Sequence, residues 1–134
     1  MKKPFIFALL GVISISLGLA LDEKELHTKM KAAGDHMGGL RKGMQAGNME
    51  EVAKHSEGIS GALRGTGAFW RERKMDDAVK FTRDGMAAAR ELTAAAKAGK
   101  ADEAKAASAK LGGSCKGCHE AHREKLPDGT YKIK

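Results

Sequence analysis

Apolar residues recur along most of the chain at the three- and four-residue steps that put them on one side of a helix. From Asp22 the series Leu26, Met30, Ala33, Met37, Leu40 and Met44 advances by four, three, four, three and four. This predicts a first helix over residues 22–46, with Asp22, Glu23 and Glu25 favouring its positive end and Gly47-Asn48 stopping it. A second helix is predicted over residues 48–69. Asn48 with Glu51 forms a capping-box pattern, and Val52, Ser56, Ile59 and Leu63 continue the stripe. Three glycines between 61 and 67 loosen its end, and Phe69 and Trp70 are expected to anchor the corner as core or rim residues. Ala78, Val79, Phe81, Met86, Ala89, Leu92 and Ala96 line a third helix over residues 76–98, which Gly99 ends. A fourth begins near Ala101 and carries Ala104, Ala107, Leu111, Cys115 and Cys118 on one side. Pro127-Asp128-Gly129 signals a turn, and the tail beyond it has no legible role.

The N-terminal pattern is different. Lys2 and Lys3 precede an apolar run from Phe5 to Leu19, and Gly18-Leu19-Ala20 supplies small residues for a peptidase. Residues 1–20 read as a secretory signal peptide cleaved after Ala20, since about 15 apolar residues are short for a membrane span. The remaining 21–134 is long enough for one domain. Four amphipathic helices with short connections predict an all-α fold, an antiparallel four-helix bundle. Few β-branched or aromatic residues favour helix over strand. Gly34, Gly38, Gly39 and Gly43 weaken the first helix, and close approach of a flat group or another backbone would compensate.

Charge adds little. The whole chain carries 24 Lys and Arg against 17 Asp and Glu. Losing Lys2 and Lys3 leaves 22 against 17. No basic stripe is interleaved with aromatics, so nucleic acid is not an expected partner, and no membrane contact is expected once the leader is removed.

Cys115-Lys116-Gly117-Cys118-His119 carries the chemistry. Two thiols three positions apart, followed by an imidazole, form the attachment pattern of c-type haem: one porphyrin edge offers two vinyl groups, and the histidine reaches the iron. Other readings are weaker. A thioredoxin-like pair wants a strand ahead of it. Zinc held by Cys115, Cys118, His119 and His122 would need adjacent residues 118 and 119 around one tetrahedral ion. A disulfide across so short a loop stabilises little. One covalently bound haem c is therefore expected, with export supporting it, because c-type haem is attached outside the cytoplasm. Such a group would also supply the large apolar body that an alanine- and glycine-rich core lacks.

The chain resembles the cytochrome c′ family of four-helix cytochromes and its low-spin relatives. The C-terminal placement of the Cys115–His119 motif, Arg123 four residues after His119, and the segment running from Met30 to Leu40 carry the resemblance. It implies thioethers at Cys115 and Cys118, His119 as proximal ligand, and Arg123 beside the imidazole. Low-spin members place a methionine ligand where this chain has Met30. High-spin members leave that site open and bind nitric oxide or carbon monoxide. The first reading is a periplasmic one-electron carrier with iron held by His119 and Met30, acting on redox partner proteins and not an enzyme. The alternative is a five-coordinate gas binder, and a haem-free zinc or adaptor protein is a third. Met37, Met44, His27, His36, His55 and His122 are further, less favoured ligand candidates. Where low-spin members carry an arginine, this chain has Leu26. A homodimer through the first two helices is compatible with the stripe and glycines.

Overall fold

The computed structural model describes residues 21–134; the signal-peptide reading of residues 1–20 lies outside the described residues. Five helices and one hairpin follow in order: α1 (Glu23–Ala46), α2 (Met49–Leu63), α3 (Thr66–Glu72), α4 (Asp76–Lys97), α5 (Ala101–His122), β1 (Arg123–Lys125) and β2 (Tyr131–Ile133). The four long helices form the bundle, with α1 packed on α2, α2 on α4 and α4 on α5. The short α3 turns the corner and packs on α4. α1 and α5 meet only sparsely, so the bundle is open along that seam.

Local chemistry explains the helix ends. Asp22 and Glu25 close a full capping box at the start of α1. Asn48 Oδ1 accepts the Glu51 amide at the start of α2, without the reciprocal bond from the glutamate. The helix expected over residues 48–69 is two helices. Gly65 takes φ 84°, a left-handed conformation that glycine adopts at no steric cost, and the chain breaks there. Thr66 Oγ1 then donates to the Leu63 carbonyl at 2.8 Å, joining the two pieces across the break.

The main core joins Leu40, Val52, Ile59, Leu92 and Leu111 with buried alanines of α2, α4 and α5. A second cluster at the end of the bundle joins Leu26, Phe69, Trp70 and Ala78, with Met30, Val79 and Ile133 against it. Leu26 is thus a core residue, only 4% exposed. The first-helix glycines divide by role. Gly43 lies tight against Val52 and Gly39 against His55, whereas Gly34 and Gly38 meet nothing closely.

The tail is a hairpin. Arg123 pairs with Ile133, Glu124 with Lys132 and Lys125 with Tyr131, in antiparallel register. Asp128 Oδ1 accepts from both the amide and the hydroxyl of Thr130, and Gly129 takes φ 86°. An all-helical reading misses this element, because three-residue strands of mostly charged residues carry no apolar alternation.

Candidate haem site between α1 and α5

The open seam holds the site. Two cavities, of about 360 and 790 Å³, meet at Met30, His119, Arg123 and Tyr131. The smaller is walled by Leu26, His27, Trp70 and Cys118 among others. The larger is walled by Ala33, Gly34, Met37, Ile59, Leu63 and Cys115. Both fall in the size range of cofactor pockets. The antiparallel order of the helices causes this convergence. It brings the first turns of α1 to the same end of the bundle as the last turns of α5, with α3 closing that end.

Cys115, Cys118 and His119 lie within little more than one turn of α5, where the spacing puts both sulfurs on the bundle-facing side. Each thiol is half-buried and free. Burial pushes the Cys115 thiol up. Burial first, then the negative charge that Cys115 and Asp77 would present, pushes Cys118 up to about 11. Both therefore stand as neutral thiols near neutral pH. Burial, then the nearby Arg123 charge, lowers the His119 pKa. The imidazole is consequently neutral, with a lone pair available to a metal.

These features fit a porphyrin. The walls are mainly apolar, two thiols open onto the cavities from one helix face, and a neutral imidazole is shared by both. The zinc reading fares badly. Among the described residues no group of three or more metal-binding side chains converges, and His122 is turned to Asp77 at 2.9 Å and toward the Trp70 ring.

Arg123 caps the end of α5 with extended backbone and opens β1. Its guanidinium stacks 4.0 Å above the Tyr131 ring, so the hairpin holds it at the junction of the cavities. Met30 is half-buried and borders both cavities. Met37 borders the larger, while Met44 packs into the main core. His36 and His55 face each other away from the cavities.

Two features escaped the sequence reading. Tyr131 and Ile133 close the site from a tail that lacks any motif. Gly117, between the two cysteines, is tightly placed: a methyl group there would lie 2.6 Å from the Phe81 ring. Gly112 and Gly113, just before the cysteines, have no neighbour within 4 Å of where a methyl group would stand.

Comparison with known proteins agrees with this geometry. The family model described as cytochrome C′ matches residues 66–123. The cytochrome c′ of Pararhodospirillum photometricum is 38% identical over 117 residues, covering 71% of this chain and 90% of that protein. The crystal structure of cytochrome c′ from Thermochromatium tepidum aligns with a TM-score of 0.63 at 26% identity, over 75% of this chain and 95% of that one. A further cytochrome c′, described as having an unusual ligand-controlled dimer dissociation, aligns with a TM-score of 0.65 at 22% identity, over 87% of this chain and all of that one. An attachment motif on α5, a cavity pair that suits a porphyrin and this likeness in sequence and fold lead to one conclusion: the chain belongs to the cytochrome c′ family and is a c-type cytochrome with one covalently bound haem c.

Proposed function

We propose that this cytochrome binds small neutral gases, with nitric oxide and carbon monoxide as the ligand class. The observation that carries the reading is the wall that α1 turns to the larger cavity. Met30, Ala33, Gly34 and Met37 form most of it and carry no side-chain hydrogen-bond donor, while Arg41, one turn beyond Met37, adds a single guanidinium. The Met30–Met37 stretch offers no donor to a bound water or anion but accommodates a neutral diatomic molecule. Family membership supports the same reading. When bound, the haem would supply an axial coordination site and a one-electron couple at its iron.

In this reading Cys115 and Cys118 hold the group to α5, and His119 presents its neutral imidazole from the proximal side. Arg123 keeps positive charge beside that imidazole and disfavours further positive charge on the metal. Met30 is the residue of α1 that decides access. Its place on both cavities favours a second reading, in which its thioether occupies the sixth position and the protein carries electrons between redox partners. In either case the protein carries a ligand or an electron and converts no substrate. Residues 1–20 belong to the proposal as an export signal that delivers the chain to the periplasm. No helix among the described residues is long and apolar enough to cross a membrane. A homodimer through α1 and α2 also belongs to it, with open surface at Gly38 and Gly61.

Absorption spectra of the matured protein, with and without carbon monoxide, test the reading. The reduced protein is expected to show a broad high-spin spectrum that shifts on adding carbon monoxide, with Met30→Ala binding the gas at least as fast. A sharp reduced spectrum that carbon monoxide leaves unmoved, and that becomes responsive only in Met30→Ala, would replace gas binding with the electron-carrier reading.

A further inference from the structure

The seam between α1 and α2 carries two histidines that the haem site does not use. His36 on α1 and His55 on α2 face each other with their Nδ1 atoms 3.1 Å apart. Their ring centroids are 5.4 Å apart and the ring planes are tilted by 59°. Neither residue borders the cavities at His119. Each ring rests on a glycine of the opposite helix: His55 on Gly39, and His36 on Gly58. A methyl group at either glycine would overlap the ring. The two glycines therefore seat the rings in the seam and keep the Nδ1 atoms opposed.

Glu51 lies one turn before His55 and approaches its other ring nitrogen, Nε2, at 3.3 Å. With its proton on Nε2, the nitrogen facing that carboxylate, His55 keeps the Nδ1 lone pair bare toward His36. This carboxylate–imidazole arrangement is the one that orients histidines for metal binding and raises their basicity. The spacing agrees. Two imidazole nitrogens bound to one ion at about 2.0–2.1 Å, at an angle between square and tetrahedral, stand about 2.8–3.4 Å apart.

We propose that His36 and His55 form a divalent transition-metal site, separate from the haem, that takes an imidazole-preferring ion such as Zn²⁺ and fastens α1 to α2. Two protein nitrogens bind the ion and water completes its shell, since among the described residues no third ligand side chain converges there. The side chain of His55 is 20% exposed, which leaves a path for water and for the ion. Glu51 is a positioning residue, acting through His55.

Calorimetric titration of the haem-loaded protein with Zn²⁺ alone tests this, with thermal melting followed in parallel. One Zn²⁺ is expected per protomer, in the micromolar range, with a rise in melting temperature that grows with metal concentration. His36→Gln and His55→Gln should each weaken binding at least tenfold, Glu51→Gln by roughly 10–100-fold, and the exposed α5 variant Glu103→Gln should leave it unchanged. Gly58→Ala retains both imidazoles but displaces the His36 ring, so it should also lose affinity. Circular dichroism and the haem spectrum verify that each variant is folded. Absence of saturable binding to the wild type would overturn the proposal and leave a plain imidazole–imidazole hydrogen bond. Binding unchanged in both folded histidine variants would overturn it equally.

Discussion

Replacing Cys115 and Cys118 together by serine is expected to give a chain that retains no haem and is largely unfolded at room temperature. The reason lies in the shape of the core. Much of what the bundle buries is alanine: Ala53, Ala78, Ala88, Ala89, Ala95, Ala96, Ala104 and Ala107. Alanine contributes little apolar area compared with leucine or phenylalanine, and burial contributes only about 25 cal/mol per Å². The seam between α1 and α5 contributes less again, because cavities take the place of packed side chains there. Without the porphyrin, Met30, Leu26 and Trp70 border open space, and a cavity of that size carries its own cost. Far-UV circular dichroism and a thermal melt of the double variant check the point. Full helicity with a cooperative transition would mean that the side chains alone stabilise the bundle.

Trp70→Ala is expected to destabilise the haem-loaded protein by about 3–5 kcal/mol, the usual cost of removing a large aromatic side chain from a core. That is a large share of the roughly 5–15 kcal/mol that stabilises a small domain. Trp70 is 5% exposed. It meets Phe69 edge-on at 4.9 Å and His122 at 5.5 Å between ring centroids. Arg73 in turn lies over Phe69 at 3.6 Å. One side chain therefore ties α3 to the end of α5 and also walls the smaller cavity. Trp70→Phe, which keeps most of the apolar volume, should cost far less. Urea unfolding followed by circular dichroism measures both, with a lower midpoint and an unchanged slope expected for the alanine variant. A cost below about 1 kcal/mol would show that the α3 corner unfolds independently of the bundle.

Much of the fold and part of the site were legible in the residues, and the division has a physical basis. Helices α1, α4 and α5 follow from the 3.6-residue period, because that period and the end caps act within one or two turns of the chain. The Asn48 start of α2 was legible for the same reason. Its end was not: whether a run of glycines frays or turns sharply depends on what Leu63, Thr66 and Phe69 pack against. The haem motif was legible because the two thiols and the imidazole are neighbours in sequence and need only a helix to arrange them.

Sequence by itself determined the helical character of the chain, the stripe on each long helix, and the Cys115–His119 pattern that points to covalent haem. Tertiary structure decided what those stripes surround. It opened the α1–α5 seam, set Met30 at the junction of two cavities, and placed the Tyr131 ring under the Arg123 guanidinium. It made Leu26 a core residue and joined His36 to His55 across 19 positions of chain. Each of these depends on elements meeting that are distant along the chain. Periodicity records that a residue faces inward, but the atoms it meets there depend on how the helices cross and on where the chain turns back.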